Sequence, residues 1–315
     1  MSRVPVARCG EASFVVWRFT DGRAGHENQT RGLLDALRTL VRLDSHDLRV
    51  ERSRPGAWLG WLLARAPRWT HLPDPDLLLG AGHDTHVPLL AAARARGGRR
   101  VIVMRPSLPV WCFDLCLVPE HDGLSEGPHV MLTRGALNAV RSRPDKDPAL
   151  ALVLLGGPSA HCRWAEPAML DQVLAVVTGA PSLNWTVAGS PRTPVSTLTA
   201  LERSLPGSVS IVRFEQSTPG WLASRVAVAG RVWVSEDSVS MVYEALTAGA
   251  ATGLLELPLA RGSRVQRGVA RLVEDALVVP FGRWRDGTPL APPAHPLAEA
   301  TRCAEEIARR WLNVA

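Results

Sequence analysis

The sequence predicts an α/β protein in which two parallel-sheet domains face a cleft. Short apolar runs alternate with amphipathic, helix-like stretches, which is the pattern of parallel strands joined by helices. The 315 residues suffice for two domains of ordinary size. The polar stretch 141–148 separates the runs into two sets, so each set is expected to form a Rossmann-like sheet with helices on both faces.

The apolar runs mark the predicted strands of each domain. In the N-terminal domain, 1–145, they lie at 14–19, 48–50, 77–79, 101–104, 115–118 and 130–132. In the C-terminal domain, 149–296, they lie at 150–155, 184–187, 210–214, 232–234, 253–257 and 277–279. The last helix, within 297–315, is amphipathic and is predicted to pack back on the first domain.

Composition indicates a folded, basic protein. Hydrophobic residues make up 46% and charged residues 21%, and the formal net charge is +6. Arginine supplies nearly all the positive charge, since Lys146 is the only lysine. Its planar fork suits phosphate and carboxylate oxygens, but a high-GC genome composition, which favours Arg, is the preferred explanation over nucleic-acid binding. The chain has neither a basic run nor an RNA-binding signature, so nucleic acid is not an expected partner.

Location is inferred by elimination. The five cysteines are scattered without a CxxC pair, residues 1–12 contain no apolar stretch of signal-peptide length, and no window approaches the ~20 apolar residues of a membrane span. A cytoplasmic location is therefore expected. Segment 52–69 interleaves Arg with Trp and Leu at helical spacing, so it predicts either a peripheral contact with an anionic membrane or a core-facing helix.

Ligands of open parallel sheets bind beyond the carboxyl ends of the strands, so the residues directly after each run are the candidate site. The first such loop contains Asp21, Gly22, Arg23, Gly25 and His26. The glycines let the backbone lie close to a ligand, and the following helix start offers N–H groups to an anion. His26 or Asp21 is the candidate base. An ordinary strand-to-helix turn, with His26 capping or solvated, is the alternative.

The loop after the third strand follows the same logic. It contains Gly82, His83, Asp84 and Thr85, and Asp84 or Thr85 is expected to cap the next helix. Simple capping explains this loop as well as ligand binding does.

Three ionisable residues, Glu120, His121 and Asp122, follow the fifth strand. They lack an i,i+4 ligand pair and no zinc pattern is present, so no metal site is expected. An acceptor-side loop is the preferred interpretation, and a solvated turn is the alternative.

In the second domain, Gly156 and Gly157 end the first strand, where phosphate would need glycine to approach the backbone. Ser190, Arg192 and Thr193 follow the next strand. Arg192 is suited to pair with a diphosphate, with an exposed proline-bound turn as the alternative.

The most informative stretch is 231–249, which predicts a strand, a polar turn and a helix that ends at Gly249. The turn offers Ser235, Asp237 and Ser238 as helix caps. Within the helix, Ser240 and Glu244 are four residues apart, so they share a face, and Met241 lies between them. A carboxylate can accept both hydroxyls of a ribose, whereas the alternative makes Glu244 a surface helix residue.

This strand–turn–helix, with Glu244-Ala245-Leu246-Thr247-Ala248-Gly249 at its end, resembles the donor-binding element of GT-B glycosyltransferases. Those include the enzyme that adds N-acetylglucosamine to lipid I. The resemblance implies that Glu244 binds the nucleotide ribose and that the preceding turn and helix start bind the diphosphate. The loop that ends in Gly25-His26 resembles the N-terminal glycine loop of the same enzymes and implies that His26 is a base.

A second resemblance covers nearly the whole chain. The stretches that carry this resemblance are 21–29, 113–114, 119–122, 133–138 and 236–241, and the first of them contains Gln29. In these stretches the chain resembles a bacterial family of GT-B glycosyltransferase-like proteins that is named after a plant "elongated mitochondria" protein. The chain departs from the family pattern at Pro191-Arg192, where two arginines are expected. It also departs after Leu257-Pro258, where Arg261, Arg264 or Arg267 stands in for an expected lysine.

Three functions follow. The preferred function is glycosyl transfer from a nucleotide-sugar, which is a substrate, to an acceptor hydroxyl. The acceptor is expected to be an envelope glycolipid or a lipopolysaccharide core sugar. Neither a metal nor a cofactor is expected for this step. A non-catalytic adaptor at the membrane, like the plant namesake, is the alternative, but it would not need polar strand ends. A nucleotide-sugar epimerase with a dinucleotide cofactor would require a Tyr-x-x-x-Lys pair, and the single tyrosine, Tyr243, has no lysine nearby.

Overall fold

The structure, a computed structural model, describes residues 13–50, 69, 71–160, 162–218 and 220–312. The chain divides into two compact units. Unit 1 comprises Met1–Ala139 together with Ala298–Ala315, and unit 2 comprises Val140–Leu297.

The described residues form strands and helices in regular alternation. The strands are β1 (Phe14–Thr20), β2 (Leu43–Arg49), β3 (Leu77–Ala81), β4 (Arg99–Val103), β5 (Leu115–Pro119), β6 (Val130–Thr133), β7 (Asp147–Leu155), β8 (Asn184–Gly189), β9 (Ser210–Val212), β10 (Ala229–Ser235), β11 (Ala251–Leu255) and β12 (Val279–Pro280). The helices are α1 (Ala24–Leu40), α2 (His86–Arg96), α3 (Glu166–Thr178), α4 (Val195–Ser204), α5 (Trp221–Val228), α6 (Val239–Ala248), α7 (Arg264–Glu274), α8 (Phe281–Arg285) and α9 (Glu299–Ile307).

Unit 1 contains a parallel sheet whose described strands run in the order β2-β1-β3-β4-β5-β6. Helices α1 and α9 cover one face, where Leu33 and Ile307 are fully buried. Helix α2 covers the other, where Leu89 packs with Trp17 and Phe19. The C-terminal helix therefore packs on the sheet formed by the N-terminal part of the chain.

Unit 2 contains a second parallel sheet, whose described strands run in the order β12-β11-β10-β7-β8-β9. Its central strand β7 is buried from Leu150 to Leu155, which is why the sequence there reads as one apolar run rather than as an alternation. The predicted fold class, two Rossmann-like parallel sheets, is confirmed.

Three predicted strands needed correction. Run 277–279 overlaps β12 only at Val279. Run 48–50 overlaps only the last two residues of β2, which spans Leu43–Arg49. The strand lies at the sheet edge, and its exposed polar residues interrupt the apolar pattern. Run 210–214 ends as a strand at Val212, and a 3₁₀ turn begins at Phe214.

Most of segment 52–69, the predicted membrane contact, lies outside the described residues. Its last residue, Trp69, is described and packs edge-on against Trp17 and Phe19, at ring-centroid distances of 6.1 and 5.4 Å. No helix among the described residues is long and apolar enough to cross a membrane.

Candidate functional site

Each sheet reverses its strand order at one place, and crevices form at the carboxyl ends of strands where this happens. In unit 1 the order reverses between β1 and β3, and in unit 2 between β7 and β10. Most of the residues singled out in the sequence lie at the carboxyl ends of the strands that flank these two reversals.

In unit 1, His26 and Asp21 form a hydrogen-bonded pair. His26 Nδ1 lies 2.7 Å from Asp21 Oδ2. The Asp21 side chain is 2% exposed, whereas that of His26 is 17% exposed. A buried carboxylate beside Nδ1 favours the tautomer with a proton there, which leaves Nε2 as the acceptor. Of the two candidate bases, His26 therefore has the geometry of a base and Asp21 that of the group that orients it.

Gly82, at the end of β3, completes this arrangement. A Cβ there would lie 2.4 Å from His26 Nδ1 and 3.0 Å from Asp21 Oδ2, and the residue has a φ of +81°. Only glycine fits such a position without displacing the imidazole. The third strand thus ends against the pair formed by the first loop.

The other residues of the first loop surround the pair. Gly22 has a φ of +79°, Gly25 is exposed, and the Arg23 side chain is 53% exposed while its backbone N–H donates to Asp21 Oδ1. Gln29 is buried, and its Oε1 has no hydrogen-bond partner within the described part of the chain. Helix α1 therefore starts directly after a loop whose Gly22 and Arg23 are exposed.

Of the two caps expected after β3, Thr85 is the N-cap residue of α2, but it makes no side-chain capping bond. Helix α2 begins only at His86, after a 3₁₀ turn from His83 to Thr85, and Thr85 Oγ1 donates to Gly82 O at 2.7 Å instead of capping the helix. His83 is exposed and lies 3.1 Å from Asp84.

His86 is a buried histidine that the sequence did not single out. Its Nδ1 lies 3.1 Å from Ser107 Oγ, and its ring packs against Phe113. Burial lowers the pKa of His86 to about 4, helped by His83 and opposed by Asp84. It is therefore neutral at physiological pH.

The loop after β5 is a 3₁₀ turn over Glu120, His121 and Asp122. Glu120 is exposed, Asp122 is buried, and Arg105 donates to the Asp122 carbonyl at 2.7 Å. Among the described residues, no three His, Cys, Asp or Glu side chains come together as they would at a metal site. The structure thus places this loop at the same sheet edge as His26 without bringing it into the His26–Asp21 pair.

In unit 2, Asp237 is the centre of a buried polar group that links three strand ends. Its Oδ2 accepts the N–H of Gly157 at 2.9 Å and lies 2.8 Å from Arg192 Nη2. Ser235 contributes a second link, because its Oγ accepts the N–H of Gly156 at 2.7 Å. We call the set that joins β7, β8 and β10 the Asp237 cluster: Gly156, Gly157, Ser190, Arg192, Thr193, Ser235 and Asp237.

The glycines of this cluster make room for protein groups. A Cβ on Gly156 would lie 2.1 Å from Asp237 Oδ2, and one on Gly157 would lie 2.0 Å from the carbonyl oxygen of Arg192. The sequence had indicated that these glycines admit a phosphate; the structure shows that Asp237 and Arg192 occupy the space.

Ser190 and Thr193 bind backbone. Thr193 Oγ1 lies 2.8 Å from Leu155 O, and it accepts the N–H of Ser190 at 2.7 Å. Ser190 Oγ donates to Gly156 O at 3.0 Å. Both hydroxyls hold the loops of β7 and β8 together, a role that their polarity alone did not reveal.

Helix α6 begins beside the cluster. Of the three predicted caps, Ser238 is the N-cap residue, although it makes no side-chain capping bond, whereas Ser235 and Asp237 bind the β7 loop instead. The N-cap side chain therefore leaves the first-turn N–H groups of α6 without a cap within the part of the chain that the structure describes. Its C-cap, Gly249, has a φ of +82°, as predicted.

Along α6, Ser240 is exposed, Met241 belongs to the hydrophobic core, and Glu244 is half-buried one turn beyond Ser240. Glu244 makes an interaction of its own within the protein.

Glu236, between Ser235 and Asp237, was not among the predicted site residues. It is 9% exposed and accepts the N–H of Leu257 at 3.1 Å. Burial raises the pKa of Glu236 to about 7; the Leu257 hydrogen bond opposes this, and the Glu256 and Asp237 carboxylates add to it. Two adjacent acidic residues directly after a buried strand were the signal available in the sequence.

Solved structures with this fold include nucleotide-sugar enzymes. UDP-GlcNAc 2-epimerase from Methanocaldococcus jannaschii matches with a TM-score of 0.58 and 11% identity, over 95% of this chain and 100% of that one. MurG from Acinetobacter baumannii matches with a TM-score of 0.51 and 14% identity, over 94% and 99%. The glycotransferase of kitacinnamycin matches with a TM-score of 0.53 and 13% identity, over 95% and 100%. At these identities the likeness shows the fold, which is of the GT-B type.

Among proteins with curated descriptions, none matches the sequence. A family model does: the one for mitochondrial fission ELM1 matches residues 24–311, which include His26 and the whole Asp237 cluster and begin just after Asp21. The chain is therefore a member of the mitochondrial fission ELM1 family.

Proposed function

We propose that the protein is a glycosyltransferase that binds a nucleotide-sugar at the carboxyl ends of β7 and β10 in unit 2. The observation that carries the proposal is the buried Asp237 cluster beside the uncapped start of α6, at the strand-order reversal of a nucleotide-binding type of sheet. The family resemblance and the nucleotide-sugar enzymes that share the fold support it.

The donor contacts follow from the chemistry of these residues. The N–H groups of the first α6 turn and the Arg192 guanidinium would bind the diphosphate, because both offer positive charge at one strand edge. Glu244, further along α6, would accept the ribose hydroxyls.

In unit 1, His26 Nε2 would take the proton of the acceptor hydroxyl, while Asp21 holds the Nδ1 proton. The acceptor oxygen then bonds to the anomeric carbon of the donor sugar, and the bond from that carbon to the diphosphate oxygen breaks. The electron pair leaves with the diphosphate, where Arg192 and the α6 start would stabilise the charge.

The acceptor that we propose is a hydroxyl of an envelope glycolipid or lipopolysaccharide core sugar, reached from a peripheral position at the membrane. The resemblance to the lipid I enzyme supports this class. The Arg- and Trp-rich segment 52–69 supplies the membrane-facing candidate, and most of it lies outside the described residues.

Two other functions are distinguishable. The family name favours a binding protein, which would bind partners without turnover. A 2-epimerase, the activity named for one structure with this fold, would convert the nucleotide-sugar without an acceptor.

The test is a thermal-shift screen with UDP-, GDP-, CMP- and dTDP-sugars, followed by mass analysis of products with and without a glycolipid fraction. A melting-point increase with one nucleotide class, and product only with acceptor, is expected. An epimerised sugar formed without acceptor would replace transfer by epimerisation, and no stabilisation by any nucleotide-sugar would contradict the proposal.

A further inference from the structure

We propose that Asp237 is a positioning residue: its buried carboxylate holds the Arg192 guanidinium at the end of β7 so that the exposed side of Arg192 binds the diphosphate of the nucleotide. The inference rests on the proposed function and assigns different tasks to two neighbouring residues of the same site. It also removes the Gly156-Gly157 turn from the phosphate contacts.

Asp237 cannot itself be reached by a ligand from solvent, because its side chain is 0% exposed. Oδ2 accepts from Gly157 and Arg192, while Oδ1 is buried and has no hydrogen-bond partner among the described residues. A buried carboxylate needs a paired cation to offset its lost hydration. Arg192 supplies that charge, so the Asp237 carboxylate would act on a ligand by holding Arg192.

Arg192 has the exposure that Asp237 lacks. Its side chain is 40% exposed, and two anchors hold it: Nη2 at Asp237 Oδ2, and Nη1, which donates to Gly157 O at 2.7 Å. A guanidinium has five N–H donors in one plane, so two anchors fix that plane and leave donors directed at solvent. A side chain fixed in this way loses less entropy when it binds an anion.

The N–H groups of Gly156 and Gly157 already bind protein side chains. The Gly157 N–H, which phosphate would otherwise use, already binds Asp237, and the Gly156 Cα packs against the carboxylate so closely that a Cβ would lie 2.5 Å from Oδ1. Among the described residues, Arg192 and the first turn of α6, which has no side-chain cap, offer donors at this strand edge.

A different role for Asp237 predicts the opposite change in diphosphate affinity when its charge is removed. If the Asp237 charge simply cancelled that of Arg192 and repelled phosphate, its neutralisation would tighten diphosphate binding. If Asp237 positions Arg192, neutralisation releases the guanidinium and weakens binding.

The experiment is a double-mutant cycle read by calorimetric titration with UDP, and with uridine as the ligand without phosphate. Asp237→Asn and Arg192→Gln are each expected to weaken UDP affinity about tenfold or more, the loss of one charged hydrogen bond. The double variant should bind like Arg192→Gln alone, since Asp237 acts through Arg192. Uridine affinity should not change in any variant, which a general loss of structure would not reproduce.

The exposed pair Arg143–Asp145, at 2.7 Å in the same unit, provides the matched control. Asp145→Asn and Arg143→Gln should leave UDP affinity unchanged. Should Asp237→Asn fail to fold, Arg192→Lys keeps the test, because it retains the charge, loses the fork and should still weaken UDP but not uridine.

The outcomes separate the inference from the function beneath it. If the wild type binds UDP and Asp237→Asn binds it equally or more tightly, the positioning role alone is overturned. Additive effects of the two substitutions in the double variant would overturn it as well. A folded wild type that binds none of UDP, GDP, CMP and dTDP overturns the donor site and the inference with it.

Discussion

The two units share one construction and differ in how they hold polar groups at the strand ends. In unit 1 a single hydrogen bond joins Asp21 to a histidine that is 17% exposed. In unit 2 the carboxylate of Asp237 is fully buried, and neighbouring loops are bonded to one another around it. A group that exchanges a proton with a substrate must remain accessible, whereas a group that positions another side chain is more effective when it is buried and immobile.

The largest effect is expected when His26, the accessible group of unit 1, is replaced. His26→Gln should lower turnover roughly a hundredfold or more, because the general base is lost, while donor affinity stays unchanged. Turnover and calorimetric titration with the nucleotide found in the screen measure the two quantities. His295→Gln, at an exposed position in unit 2, is the matched control; unchanged turnover in a folded His26→Gln protein would remove His26 from the mechanism.

Glu244→Ala tests the corresponding binding group of unit 2. The loss of a charged acceptor costs about 1.5–3 kcal/mol, which corresponds to a ten- to hundredfold weaker nucleotide affinity. The helix should persist, because alanine is the better helix former. Glu305→Ala, on the exposed side of α9, should not alter affinity; a matching loss in both variants, or none in either, would argue against the ribose assignment.

Glu236 makes the stability of unit 2 depend on pH. Its folded pKa of about 7 lies above the ordinary glutamate pKa of 4.5, so the folded state binds the proton more tightly. Protonation of Glu236 therefore contributes fully to the free energy of unfolding below about pH 4.5. This contribution, at most about 3 kcal/mol, is lost as the pH rises to about 7.

Glu236→Gln, which stays neutral, should accordingly gain stability relative to wild type between pH 5 and pH 8. Chemical denaturation at both pH values measures the difference. A constant difference between the two proteins would show that Glu236 does not titrate in this range.

The smallest expected effect compares a crowded glycine with an open one. Gly156→Ala should lower the free energy of unfolding by about 1–3 kcal/mol, because its Cβ would meet the immobile Asp237 carboxylate at 2.1 Å. Gly25→Ala, in α1 with no atom within 4 Å of the new Cβ, should raise it by about 0.5–1 kcal/mol. Denaturant titration of both variants measures this, and equal effects would contradict the crowding at Gly156.

The strands could be located because each central strand of a parallel sheet is buried on both faces and is therefore a local apolar run. The edge strand β2 is the exception, because Asp44 and Asp47 interrupt its apolar character. The loops Asp21–His26 and Ser235–Ser238 were identifiable for the same local reason, since polar residues follow directly after buried ones.

By itself, then, the sequence determined the positions of the buried central strands, the fold class and the loops that carry polar side chains, because burial and turn chemistry are local properties of the chain. Only the tertiary structure decided which strand ends are neighbours. It brought Gly82 against His26, and it brought Asp237 within hydrogen-bond distance of Gly157, a residue 80 positions away. The physical reason is that strand order depends on packing between distant segments, so the partner that fills the space beside a glycine is not encoded near that glycine.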